Sequence, residues 1–274
     1  MFENAASETY AGEGHLVALG VTRDSLSDAA RASLSTDGYL LLTGMLSTWE
    51  LEFLRNVVDR LAGERAGMGP AAAFNDQAGT RLVLDLRQEP GIERLFLHPV
   101  VLAAARHVVG PEFRLNGAMA REPTLGGGHQ NMHWDHCEPH HTRPPFGPDY
   151  TAAFGPFLTV AFTWVLDDFD ARNGATRYVP RSHLRTDNPW DYDQRAPFVG
   201  ERLLTAPAGS LFVYNAHLWH GGTENVSGAR RRMINLHWTR RDRRAGVETN
   251  RAPLSPATLR RLSSSALYFV NDDA

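Results

Sequence analysis

From residue 113 onward the chain changes texture, and that change limits the folds open to it. Short apolar runs at 113–119, 130–135, 157–166, 175–179, 203–205, 211–214 and 233–238 alternate with clusters of Gly, Pro, Asn and Asp. Runs of this kind, bounded by turn formers, predict the strands of a sandwich or barrel. The first part of the chain reads differently. A helix is expected at 25–34, with Leu26, Ala29, Ala30 and Leu34 on one side, and a buried strand at 39–42 after the Asp37-Gly38 turn. Ser47-Thr48-Trp49-Glu50 fits a capping box flanked by a Leu46/Leu51 staple, and predicts a helix to about residue 62. A strand at 81–85 and a helix at 93–109, closed by Gly110-Pro111, complete this part. Helices first and strands later make an α+β chain, mainly β, whose helices brace a β-core. Residues 1–274 are expected to form a single domain, with 1–20 loosely ordered.

Charge and cysteine usage narrow the function classes. A net charge of −3 gives no basic face for nucleic acid. No apolar run approaches the roughly 20 residues of a membrane helix, and the polar N-terminus lacks a signal pattern. The single cysteine, Cys137, excludes an internal disulfide and most thiolate zinc sites. The expectation is a cytoplasmic protein acting on a small molecule, with neither nucleic acid nor membrane as partner; its oligomeric state stays open.

Chemistry concentrates in Gly126-Gly127-Gly128-His129-Gln130-Asn131-Met132-His133-Trp134-Asp135-His136. On a strand, residues i and i+2 share a face, so His133 and Asp135 can reach one metal ion while Trp134 points away. A third ligand must come from elsewhere. The strand at 211–214 leads to His220-Gly221-Gly222, and a histidine followed by residues without Cβ can sit close to a bound group. His133, Asp135 and His220 would form a 2-His-1-carboxylate triad, the arrangement of non-haem Fe(II) oxygenases; His217 is the rival third ligand. Open positions on such an ion call for a 2-oxo acid co-substrate, whose far carboxylate needs a planar, permanently charged partner. Arg230, Arg231 and Arg232 follow His220 by about a hairpin, and spacing alone does not choose among them.

Three motifs together resemble the phytanoyl-CoA dioxygenase family of Fe(II)/2-oxoglutarate oxygenases. They are His133-Trp134-Asp135; Asn173-Gly174-Ala175-Thr176-Arg177-Tyr178-Val179-Pro180-Arg181-Ser182-His183; and Gly209-Ser210 through His220, followed by Asn225-Val226-Ser227 and an arginine. The resemblance runs from about Leu34 to Trp238 and implies a double-stranded β-helix, a jelly-roll of cupin type. It implies Fe(II), 2-oxoglutarate and O2 as cofactor and co-substrates. The family's oxoglutarate arginine lies eleven positions after the distal histidine, which singles out Arg231. The same resemblance places Thr163 or its neighbour Trp164, together with Asn116, in the co-substrate pocket. Arg181 stands where the family usually has Gly, which alters the expected turn. A carboxylate at Asp135 favours hydroxylation, desaturation, epoxidation or ring closure, because related halogenases leave that position to chloride. The texture after Asp135 is closer to bacterial natural-product-tailoring members than to acyl-CoA-metabolising ones.

Long irregular segments at 136–155, 183–201 and 240–256 are candidate binding loops or lids. Within reach of the motifs, His129, Trp190 and Tyr192 are candidate substrate contacts, while His136, His140 and His141 are expected at the pocket mouth or in solvent. Two other readings compete: a non-catalytic, cupin-like metal or small-ligand binding module, and a zinc hydrolase. The hydrolase lacks a His-Glu-x-x-His and a base beside the His-Asp pair.

Overall fold

A computed structural model describes residues 10–66, 74–75, 79–135, 157–241 and 253–271. Its strands are β1 Tyr39–Leu42, β2 Phe74–Asn75, β3 Thr80–Val83, β4 Phe113–Pro123, β5 Thr159–Val165, β6 Thr176–Tyr178, β7 Arg202–Leu203, β8 Leu211–Asn215, β9 His220–Gly222 and β10 Met233–Arg240. Among the described residues they form a seven-stranded sheet, β1-β8-β5-β10-β4-β3-β2, and a three-stranded sheet, β7-β6-β9. Strands adjacent in each sheet are mostly distant in sequence, and the ladders are antiparallel. This is the expected double-stranded β-helix, in which sequential strands wind between two sheets.

Side-chain alternation decides what each face of the large sheet does. Along β10, Ile234, Leu236 and Trp238 join a core with Val160, Phe162 and Trp164 of β5 and Leu211 and Val213 of β8. That core is closed by helices, chiefly Val101, Leu102 and Ala105 of Pro99–Val109 and Phe269 of Ser264–Val270. The intervening residues of β10, namely Met233, Asn235 and His237, face a cavity between the two sheets. Ala161, Val165, Phe212 and Tyr214 share that inner side and pack with Tyr178, Leu204 and Leu218.

Several predicted elements change on folding. The predicted helix at 25–34 runs Asp28–Thr36, capped by Ser27, whose hydroxyl accepts the Ala30 N–H at 3.2 Å. The capping box forms: Ser47 N–H donates to Glu50 Oε2 at 2.9 Å and Glu50 N–H to Ser47 Oγ at 3.3 Å, and the helix extends over Thr48–Ala66. The expected helix at 93–109 breaks into Glu93–Phe96 and Pro99–Val109, because a proline is accommodated only in a first helical turn. Part of the stretch expected to be loosely ordered, Ala11–Ala18, is helical. It has no clear apolar stripe, and tertiary contact holds it, with Leu16 buried in the core and His15 stacked on Tyr268 at 4.2 Å. Among the described residues, no helix is long and apolar enough to cross a membrane. Segment 136–155, with Cys137, His136, His140 and His141, and most of 63–79 and 240–256 lie outside the described residues.

Candidate metal centre

The predicted strand at 130–135 is not regular. Gln130 N–H donates to Gly222 O at 2.9 Å and His133 N–H to His220 O at 2.8 Å, so three steps on one side face two on the other. An extra residue of this kind interrupts a ladder as a bulge does, and among the described residues the bridge left to this stretch is His133 with His220. Close approach is possible because β9 ends in glycines. A Cβ on Gly221 would lie 2.9 Å from Gln130 O, and one on Gly222 would lie 2.1 Å from Gly128 O. The glycines therefore make room for the facing backbone.

This pairing brings the three predicted ligands together. Candidate ligand atoms of His133, Asp135 and His220 all lie within 4.8 Å of one another. Trp134 turns away, as the alternation requires, into an apolar cluster with Met132, Val179, Phe198 and Trp219. His133 Nδ1 lies 2.7 Å from Asn131 O and His220 Nδ1 lies 2.8 Å from Leu218 O. Each carbonyl holds a proton on Nδ1, which directs the Nε2 atoms to the shared site. His220 Nε2 is 3.3 Å from Asp135 Oδ2, and His133 Nε2 is 3.8 Å from Asp135 Oδ1. The rival, His217, instead hydrogen-bonds Asn215 Oδ1 through Nδ1 at 3.1 Å and packs on Trp134.

Electrostatics follow from burial and proximity. Burial, reinforced by neighbouring His220, pushes the His133 imidazole down to about 4. Burial opposes the charge on Asp135, but His220 and His237 overcome it and hold this carboxyl well below its usual range. Burial also opposes a charge on His220, yet Asp135 raises its pKa. His237 was not foreseen: its Nε2 reaches Asp135 Oδ2 at 3.3 Å from β10.

A cavity of about 160 Å³ adjoins the triad. The three consecutive arginines are sorted by their partners. Arg230 is paired with Glu122 at 2.6 Å and Asp59 at 2.6 Å, and Arg232 with Asp167 and Asp59, both at 2.8 Å. Arg231 alone of the three lines the cavity. It donates to Thr176 Oγ1 at 2.9 Å, lies 4.3 Å above the Phe169 ring, and keeps its Nε without a hydrogen-bond partner. Burial, with repulsion from Arg121, pushes its guanidinium down to about 9.

The remaining predicted site residues divide. Asn116 and Thr163 line the cavity, Thr163 donating to Asn235 Oδ1 at 2.9 Å. Trp164, one residue on along β5, points to the opposite face and is fully buried in the helix-side core, so it is removed from the pocket. His129 is solvent-exposed and Gln130 takes the lining position. Trp190 and Tyr192 are also corrected: neither lines the cavity. Trp190 lies against Trp134 at 5.9 Å, and the Tyr192 hydroxyl donates to Asp187 at the surface. Segment 183–201 therefore covers the back of the His133–Asp135 segment instead of the cavity mouth. Residues without a sequence signal also line the cavity, among them Met119, Arg121, Thr176, Tyr214 and His237. Only their alternation on β4, β6, β8 and β10 could have indicated a facing set.

Comparison with known proteins bears on this geometry. The model of the family described as Phytanoyl-CoA dioxygenase (PhyH) matches residues 34–233. The protein Rv1501 of Mycobacterium tuberculosis is 36% identical over 86 residues, 31% of this chain, and the match spans only 30% of that protein's length. The dioxygenase hkm4 of Aspergillus hancockii is 26% identical over 240 residues, 82% of this chain and 74% of its own. Among solved structures, HygX of Streptomyces hygroscopicus, crystallised with nickel, 2-oxoglutarate and hygromycin B, superposes with a TM-score of 0.62 at 18% identity, covering 78% of this chain and 88% of its own.

Proposed function

The chain belongs to the phytanoyl-CoA dioxygenase family, and we propose that the whole chain acts as one Fe(II)- and 2-oxoglutarate-dependent oxygenase domain that oxidises a small natural-product intermediate. One observation carries this reading: two imidazoles locked in the Nδ1–H form turn Nε2 toward a shared carboxylate, with Arg231 lining the same cavity. The nitrogen and oxygen donor set fits Fe(II) and leaves positions for a chelating co-substrate. His133, Asp135 and His220 would hold the metal, and Arg231 with Thr176 would hold the far carboxylate of oxoglutarate. When bound, Fe(II) with oxoglutarate and O2 supplies the oxidising power, and the co-substrate leaves as succinate and CO2.

The chain's own residues do the positioning. Asp135 occupies the place that a halide would need, which supports oxidation over halogenation. Arg231 is poised for a carboxylate because its Nε is buried without a partner, an arrangement that is costly until an acceptor arrives. Met119, Met233 and Tyr214 give the cavity an apolar wall that excludes water from the reacting groups. No side chain is assigned as a general base, and this chemistry needs none. HygX was crystallised with hygromycin B, which supports a natural product as the substrate class here.

The test is oxoglutarate turnover by purified protein with Fe(II) and ascorbate, read as succinate, across a panel of natural products. Asp135→Ala and His220→Ala should each abolish Fe(II)-dependent turnover while the thermal melt stays cooperative. Metal uptake without any oxoglutarate consumption in the wild type would favour the non-catalytic binding module instead.

A further inference from the structure

Two arginines line the cavity among the described residues, and the co-substrate accounts for one. Arg121 is the other. It lies on β4 opposite Met233 of β10 and extends into the cavity. No hydrogen bond or ion pair holds its guanidinium among the described residues. Its charge is felt by Asp135, His133, His220, Tyr214 and Arg231, which places it near the metal ligands as well as near Arg231. The contrast with Arg230 and Arg232 is sharp, since both carry close carboxylate partners.

Charge balance says what is missing. A divalent ion, a doubly charged oxoglutarate, Asp135 and Arg231 together sum to zero. Arg121 then leaves one positive charge in a confined cavity with Asp135 as its one carboxylate among the described residues, and an uncompensated charge there is unfavourable. Two neighbouring cations also repel each other until anions separate them. Resting on the reading of the preceding subsection, we propose that the substrate is a monoanion whose carboxylate is received by Arg121. Tyr214, whose phenol lies in the same wall, is placed to add a hydrogen bond. A substrate gripped by one carboxylate beside the metal ligands presents the carbons near that carboxylate to the oxidising centre.

Direct binding of simple probes tests this. Protein loaded anaerobically with Fe(II) and oxoglutarate is dialysed to equilibrium against radiolabelled acetate or benzoate, and in parallel against acetamide or benzamide. The acids should bind at least about tenfold tighter than their amides, the worth of one charge-assisted contact. Arg121→Met should erase that preference while oxoglutarate affinity stays within about twofold, and Arg121→Lys should keep most of it. A loss of about tenfold in oxoglutarate affinity in Arg121→Met would overturn the proposal and give Arg121 to the co-substrate's metal-end carboxylate. Equal binding of acids and amides, or binding of neither, would also overturn it. A wild-type protein that takes up no Fe(II) and oxoglutarate would refute the underlying functional reading itself, a result visible before any probe is added.

Discussion

His237 Nε2 lies 3.3 Å from Asp135 Oδ2, the same oxygen that His220 Nε2 approaches at 3.3 Å. One carboxylate is thus held from two strands, β9 and β10, that belong to different sheets. The expected consequence is a rotationally fixed Asp135. Replacing His237 with Phe should weaken divalent-metal binding by roughly 10–100-fold, the usual cost of losing a group that orients a ligand. Titration with Co(II), followed by absorbance, measures this. An unchanged affinity would show that Asp135 is oriented by its backbone alone.

The three arginines should separate functionally. Arg231→Ala should raise the oxoglutarate dissociation constant by roughly tenfold to a hundredfold, as expected for a lost charge-assisted pair. Arg230→Ala and Arg232→Ala should leave that constant unchanged and lower the melting temperature instead, because their partners are Glu122, Asp59 and Asp167. Calorimetric titration of oxoglutarate into all three variants decides the assignment.

Gly222 should tolerate no side chain. Its added Cβ would meet Gly128 O at 2.1 Å, backbone against backbone, so the β9 pairing must open. Gly222→Ala is expected to destabilise the protein by more than about 2 kcal/mol. Urea denaturation provides the number, and a neutral result would mean that the two segments are not in contact in solution.

Arg181 adopts φ 67°, a left-handed conformation that suits glycine. The turn is therefore retained despite the arginine, and the expectation of an altered turn is corrected. Its N–H donates to Asp37 O at 2.8 Å, which helps to fix it. Arg181→Gly should stabilise the protein by about 1 kcal/mol by relieving the Cβ strain. A thermal melt that falls would contradict this.

His183 gives a pH signature. It is buried, its Nδ1 lacks a partner and lies where a Cβ on Gly38 would be, and burial pushes its imidazole down to about 4. The unfolded chain therefore binds a proton on this residue between about pH 6.5 and 4 that the folded chain refuses. The sign is that stability falls as pH drops through that window, by roughly 3 kcal/mol at most from this group. Urea midpoints from pH 7 to pH 4 in wild type and His183→Phe isolate it: the variant should lose less stability on acidification.

The short-strand texture, the capping box at Ser47 and Glu50, and the His133-Trp134-Asp135 alternation were legible because they depend on local periodicity and local hydrogen bonds. The candidate triad could be picked out for the same reason, since His133 and Asp135 need only a two-residue spacing and His220 is marked by the glycines after it, and the fold brings the three together. Trp190 and Tyr192 were misplaced because loop composition does not say which side of a sheet a loop will cover. Trp164 was misplaced by one step of alternation.

By itself, then, the chain's order of residues determined the fold class and the atoms available for a metal, both of which follow from short-range pattern. Tertiary structure decided which arginine of three has no carboxylate partner among the described residues and lines the cavity. Arg230 and Arg232 find carboxylates only when Asp59, Glu122 and Asp167 are folded beside them. It also decided that Arg121, on a strand distant in sequence from His220 and Arg231, faces the same cavity. Charge pairing across strands depends on register, and register is set by which apolar faces the sheets must bury.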